Sequence, residues 1–503
     1  MSDIKTVLRD IGAILIIIGL VSLITLLVPL VYQEYIGGPT VDGVIPILIT
    51  SAVYLLSGIP LYYVFRGADP ANFKTAMVTA ALGWFVISFI GSIPFWLMPY
   101  NTTSMESMGI LSGFFESMSG WTGTGLTMVD NEELLPKTLQ FWRTFIQWIG
   151  GVGVIVLTLS ILARPGTGSY VLYKGEARDQ KTHPSVVSTV RTIWWIFLLY
   201  TLIGIVLLII AGYISSNEWF IWESINHAMT GIATGGFSVT NFSITGYDGL
   251  RQFIIILLMV FGSIAFASHY SLLNGKFKKF LSDAQFRALL VIIIIGVFLL
   301  TVFNAYGLNT TFTSEFGAGV FQFISALTCT GFASVESLTN WPESSKLILS
   351  FAMVIGGAAG STAGGIKLFR AILLYKGVGW RIKRSISTPR RVFVYKFGEK
   401  SLSNDNAMDL INEAAIISFM WIILLAIGIL VLSIINAEYQ LSNIIFEVCS
   451  AQGNVGLTAG ITSISMTGIE KMMLILNMWV GRLEIIPIIV LFRSLLGIRR
   501  NII

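Results

Sequence analysis

The sequence predicts an all-α polytopic membrane protein: four pseudo-fourfold helix–pore-loop–helix repeats around one central pore, preceded by a pair of transmembrane helices. Three observations predict it. Of 503 residues, 54% are hydrophobic and only 12% are charged, about half the charge of a typical soluble chain. Apolar runs near 11–31, 43–64, 76–98, 140–163, 192–213, 252–273, 287–306, 347–375, 410–435 and 471–497 are each long enough to cross about 30 Å of hydrocarbon. Between some of these runs lie shorter apolar segments that end in one shared glycine pattern.

In chain order, the run from Ile11 to Val31 is too long for the core of a signal peptide and lacks a small-residue cleavage site. It reads as the first membrane helix, and with the second run it makes an N-terminal unit, 1–66. Pore repeats follow at 67–175, 176–280, 281–385 and 386–503, the third containing a glycine-rich loop. Threading from a cytoplasmic N-terminus puts Arg164, Lys174, Arg178, Lys181, Lys276, Lys278, Lys279, the basic stretch 376–400, Arg499 and Arg500 inside. Glu34, Asp42, Asp130, Glu132, Glu133, Asp248, Glu315, Glu336 and Glu438 fall outside. That asymmetry sets the expected orientation. Basic loops set among membrane spans do not read as a nucleic-acid surface. Cys329 and Cys449 are too few for a disulfide framework, and His183, His227 and His269 are too scattered for a metal cluster.

The repeats align without gaps. They read FESMSGWTGTGLT, NHAMTGIATGGFS, FQFISALTCTGFA and FEVCSAQGNVGLT, with shared glycines Gly125, Gly236, Gly331 and Gly456. A second glycine follows each, Gly150, Gly262, Gly356 and Gly481, at spacings of 25, 26, 25 and 25. Small-residue helix contacts would explain one copy, but not four in register.

A half-length helix that stops inside a bilayer leaves carbonyls unsatisfied, and such backbone is tolerated only inside protein or along water. Four such helices around one axis would aim their negative C-terminal ends at a single point. Carbonyls from the four turns would then replace the hydration shell of a monovalent cation. Glycine is required where the backbone takes positive φ.

With the T-G-T-G-L-T motif, the fourfold repeat, the segment GGAAGSTAGGIK at 356–367 and GRLEIIP at 481–487, the chain resembles the Trk/Ktr/HKT superfamily of potassium transporters, in its TrkH/TrkG-type branch. The resemblance implies that the filter is lined by Gly123, Thr124 and Gly125; Thr234, Gly235 and Gly236; Cys329, Thr330 and Gly331; and Asn454, Val455 and Gly456. K⁺ would be the transported ion. Where a potassium channel carries a second filter glycine, this chain has Thr127, Ser238, Ala333 and Thr458. Those positions lose easy access to positive φ, so weak discrimination against sodium is expected.

The run from Gly356 through Gly357, Gly360 and Gly364 to Gly365 should break its helix, because each glycine costs about 1 kcal/mol relative to alanine. The resemblance implies that it is an intramembrane gating loop; close helix packing is the other reading. Arg482 lies mid-span, where a charge must face protein or water. It either faces the pore or pairs with an acid such as Glu484. Arg143 and Gln147 read as interfacial or structural, and His227 as a helix-packing residue.

The expected function is potassium uptake by a channel-like subunit in a prokaryotic cell membrane. About 100 mV inside-negative supplies roughly 2.3 kcal/mol per charge. A proton- or sodium-coupled symporter is the rival, with Glu116 and Glu447 as the acids available; a membrane-embedded enzyme is a remote third. The chain has no Walker A motif and no convincing Rossmann fingerprint, so no nucleotide is expected in it. The resemblance implies a homodimer docked on a cytosolic TrkA-like nucleotide-binding ring. The basic stretch 376–400 reads either as its docking surface or as a face against lipid head groups.

Overall fold

A computed structural model describes residues 2–38, 41–101, 105–153, 186–387, 393–397 and 400–496. Helices α1 (Ser2–Ser22) and α2 (Val44–Val64) form the N-terminal pair. They cross at Gly12 and Gly58, where a Cβ on either residue would come within 3.0 Å of the other helix's backbone. Ser22 and Ser51 share a hydrogen bond of 2.8 Å across the crossing. Such close approach between small residues is how helices pack where no water drives them together. The Tyr54 hydroxyl donates to Ile87 O at 2.7 Å and ties the pair to α3 (Phe73–Ile90).

In the first repeat, α3 is followed by α4 (Ile110–Thr122) and α5 (Lys137–Val152). The second has α6 (Val186–Ser216), α7 (Ile221–Ile232), α8 (Gly249–Ser263) and α9 (Phe266–Leu273). The third has α10 (Ala284–Gly307), α11 (Phe312–Leu327), α12 (Glu343–Ile355) and α13 (Leu368–Ser385). The fourth has α14 (Asn404–Ile435), α15 (Leu441–Gly453), α16 (Gly468–Leu483) and α17 (Ile486–Leu495). Among the described residues, two small two-stranded sheets interrupt this all-helical pattern.

The packing closes a ring. Each short helix, α4, α7, α11 or α15, packs on the helix that follows it in its own repeat. It also packs on the corresponding helix of the preceding repeat: α7 on α5, α11 on α8, α15 on α12, and α4 on α16. Around that ring α10 exposes Ile294, Ile295 and Phe298, and α14 exposes Ile416, Phe419 and Ile434. Exposed apolar faces of this kind suit lipid and not water.

Among the described residues, six helices are long and apolar enough to cross a membrane, or eight if each bent pair counts as one span. The spans expected to run unbroken over 252–273 and 471–497 are each sharply bent at a break. Helices α8 and α9 meet at 108°, and α16 and α17 at 113°. In the first break, the carbonyl of Ser263 accepts from Ala358 and the amide of Phe266 donates to Gly360. Hydrogen bonds to the glycine-rich loop thus replace bonds the helix gives up. In the second, Glu484 and Ile485 both take positive φ (61° and 65°) just before Pro487. Helix α5 ends at Val152 with Gly153 at φ 103°. The rest of the expected span 140–163 lies outside the described residues, as do Arg164, Lys174, Arg178 and Lys181.

Candidate functional site

The four turns that follow the short helices share one backbone conformation. Gly123, Thr234, Cys329 and Asn454 have φ of 69°, 50°, 55° and 53°. The shared glycines Gly125, Gly236, Gly331 and Gly456 have 91°, 75°, 89° and 99°. Between them, Thr124, Gly235, Thr330 and Val455 donate their N–H groups back to Ser119, Thr230, Ser325 and Ser450 at 2.8, 2.9, 2.9 and 2.9 Å. These bonds satisfy helix-end carbonyls in the manner of a C-terminal cap. Positive φ is expected at the glycines. At Thr234 and Cys329 it occurs on side chains that resist it, at about 1–2 kcal/mol each. Thr127, Ser238, Ala333 and Thr458 all keep negative φ.

The turns meet one another in cyclic order. A Cβ placed on Gly125 would come within 3.0 Å of Gly235 O, and one on Gly236 within 3.0 Å of Thr330 O. On Gly331 it would meet Val455 O, and on Gly456 Thr124 O, within the same limit. Each glycine therefore packs on the carbonyl that precedes the glycine of the next repeat, and the fourth closes on the first. The Gly235 carbonyl also accepts from Gln147 Nε2 at 2.5 Å, so this oxygen is held by a side chain as well as facing the ring. Gln147 Oε1 accepts the Phe237 N–H at 2.9 Å.

Above the glycines opens a vestibule of about 310 Å³, lined by all four of them and by Asp130, Glu132, Arg143 and Glu336. On the opposite face lies the glycine-rich loop between α12 and α13. Gly356, Gly360 and Gly365 take φ of 70°, 80° and 75°. Thr362 Oγ1 bonds Thr234 Oγ1 at 3.0 Å and Gly262 O at 2.8 Å. The Gly365 N–H donates to Gly453 O at 3.1 Å, Gly364 abuts the same carbonyl, and Gly357 packs on Ser263. The loop therefore seats against repeats two and four directly beneath the ring. In repeats one, two and four the second landmark glycine packs on a carbonyl near the end of its own short helix, at Trp121, Ile232 or Gln452; Gly356 packs on Gly364 of the loop instead.

Arg482 spans this assembly. Its guanidinium donates to Thr362 O at 3.0 Å, Gly150 O at 2.5 Å and Gly151 O at 2.8 Å. It straps the loop to the ends of α5 and α16. Glu484, the acid that the sequence offered it, is ion-paired with Arg370.

The family profile for TrkH, a cation transport protein, matches residues 46–497. The chain belongs to the TrkH family. It is 35% identical over 495 residues to a cation transporter of Methanocaldococcus jannaschii, covering 98% of this chain and 96% of that one. It is 30% identical over 504 residues to the Trk system potassium uptake protein TrkH of Salmonella typhimurium, covering 97% and 98%. The crystal structure of the potassium transporter TrkH from Vibrio parahaemolyticus superposes with a TM-score of 0.78 at 25% identity, covering 97% and 98%. Membership places this TrkH-family chain among transporters rather than enzymes.

Sequence reading missed what holds the TrkH-type turns from behind. Glu116 accepts from Thr127 Oγ1 at 2.9 Å, Met128 N at 2.7 Å and Arg143 Nε at 2.7 Å. Glu447 accepts from Thr458 Oγ1, Ala459 N and Thr462 N at 2.9, 2.9 and 3.1 Å. His227 pairs with Ser238 Oγ at 2.9 Å and Tyr247 Oη at 2.6 Å. The available signal was a polar residue nine before each shared glycine, disguised by its changing chemical type. Arg143 is structural and fully buried, not interfacial; it also reaches Ser238 O at 3.0 Å and so joins the first two walls. Arg143→Met leaves the Glu116 carboxylate buried without its partner, at a cost of about 3–5 kcal/mol. We expect a lower Tm in detergent and partial recovery in the Arg143→Met, Glu116→Gln double variant.

Proposed function

We propose that the chain conducts potassium into the cell through the ring of turns, with backbone carbonyls standing in for the ion's water. The carrying observation is the cyclic packing of Gly125, Gly236, Gly331 and Gly456 on their neighbours' carbonyls. The names of the Salmonella and Vibrio relatives support potassium as the cargo. In this reading Gly123, Thr124, Thr234, Gly235, Cys329, Thr330, Asn454 and Val455 share the ion path with the four glycines. The loop 356–367 is the gate. The N-terminus is cytoplasmic, the vestibule opens outward, and the cell membrane is that of a prokaryote. Glu116 and Glu447 are engaged in holding the turns, which favours channel-like passage over ion-coupled symport.

A TrkA-like nucleotide-binding ring would dock on a homodimer at the cytoplasmic end of α13, where Arg381, Lys383 and Arg384 are exposed. The same basic surface can touch anionic lipid head groups at its margins. The test is potassium uptake in a transport-deficient cell. Growth at low potassium with this chain, and its loss with Gly125→Ser or Gly456→Ser at equal membrane abundance, is the expected result. Growth retained by both variants contradicts it.

The vestibule supplies a pH dependence. Burial pushes the Glu132 carboxyl up to about 7, against the opposing charge of Arg143 and with Glu116 and Glu133 adding to the rise. Above that pH the carboxylate is charged and concentrates cations at the mouth; below it the group is neutral. Uptake from low potassium should fall roughly twofold as external pH drops from about 8 to about 6. Glu132→Gln should show the lower rate throughout, without that step.

A further inference from the structure

The four walls of the ring are not held alike. In the first, second and fourth, the residue two after the shared glycine carries a hydroxyl, and the side chain nine before that glycine takes it. Glu116 meets Thr127, His227 meets Ser238 and Glu447 meets Thr458, each at 2.9 Å. The same three side chains accept the next backbone N–H, from Met128, Val239 and Ala459. In the third wall, Ala333 stands where the hydroxyl belongs. Gln322 reaches past it, donating from Nε2 to Ser334 Oγ at 3.4 Å, at the long limit of a hydrogen bond. Its Oε1 is buried without a partner.

The defect is local. Ser325 Oγ holds Phe332 O at 2.7 Å, matching Thr230 and Phe237 at 2.9 Å in the second wall. At Ala333 itself the support comes from the second repeat's loop. Ser243 Oγ accepts the Ala333 N–H at 3.0 Å, and the Ile244 N–H donates to Ala333 O at 3.2 Å. Ser325 Oγ also accepts the Gly331 N–H at 3.1 Å, so the third wall is anchored to its own helix up to Phe332. Beyond that point, at Ala333, it hangs from the loop and moves with it.

We propose that the third wall is the compliant one, and that Ala333, by leaving the Gln322 amide oxygen unused, sets how poorly the filter rejects sodium. This rests on reading the four turns as the ion path. Gln322 and Ala333 act here as positioning residues, through the carbonyls of Thr330 and Gly331. Ala333 lines the vestibule and is half-buried, so a threonine or serine has room there and brings the donor that Gln322 Oε1 lacks.

The test measures K⁺/Na⁺ permeability ratios from reversal potentials of reconstituted protein, for Ala333→Thr, Ala333→Ser and Thr127→Ala. We expect both Ala333 variants to raise the ratio about fivefold, the worth of one added neutral hydrogen bond. Adding Gln322→Leu to Ala333→Thr should erase the gain, and Thr127→Ala should lower the ratio. An unchanged ratio in Ala333→Thr beside a lowered one in Thr127→Ala overturns this proposal and spares the filter reading. No change in any variant overturns both.

Discussion

Replacing Gly331 by alanine should slow potassium uptake by about a hundredfold while the protein still inserts and purifies. Gly331 sits at φ 89°, in the region where a Cβ costs about 1–2 kcal/mol. Its Cβ would also come within 3.0 Å of Val455 O and reach the Gly456 Cα. No flexible side chain stands there to give way, so two walls must part. Parting them withdraws carbonyls from the ion, and a barrier raised by about 3 kcal/mol slows passage by roughly two orders of magnitude. The change is confined to a turn whose helix caps remain intact, so thermal stability should move far less than flux. Radiotracer uptake into liposomes, normalised to folded protein, checks it. The same logic applies to Gly125, Gly236 and Gly456, each of which meets a neighbour's carbonyl.

The second large effect has the opposite sign. Arg482→Gln should raise basal potassium flux more than tenfold in liposomes that contain no activating partner. Two changes act together. A positive charge fixed beside the proposed path repels a cation in a low-dielectric site, and that repulsion goes. The strap goes too: three hydrogen bonds to Thr362, Gly150 and Gly151 carbonyls, each with a charged donor and worth about 1.5–3 kcal/mol. Glutamine is too short to reach all three. Arg482→Lys keeps the charge but not the fork, so it should loosen the loop while retaining repulsion and fall between the two. Flux unchanged in both variants would remove Arg482 and the loop from the ion's path.

Much of this was legible in the chain. Four shared glycines in register announced four equivalent turns, because only glycine tolerates both positive φ and a neighbour's carbonyl where its Cβ would be. The crowded glycines from Gly356 to Gly365 announced a broken helix. Other features left little trace. The break after Ser263 falls in apolar sequence that reads as ordinary span; the loop there offers substitute hydrogen bonds to Ser263 and Phe266. The break after Leu483 comes where Glu484 and Ile485 take positive φ just before Pro487. Positive φ at Thr234 and Cys329 contradicts local preference and is imposed by the ring. The partners of Arg482 are backbone carbonyls, which no side chain advertises. Glu116 and Glu447 stood as the acids available to a symporter, because a carboxylate inside a membrane is costly and invites a functional reading; their partners show that both brace the turns.

In this reading the carbonyls of four turns surround one axial ion. Crystals grown in rubidium or thallium and measured at the metal's absorption edge test it most directly. An anomalous peak is expected on the axis between Thr124, Gly235, Thr330 and Val455, lost in Gly331→Ala. A peak elsewhere in the membrane-spanning body, with none inside the ring, would contradict it.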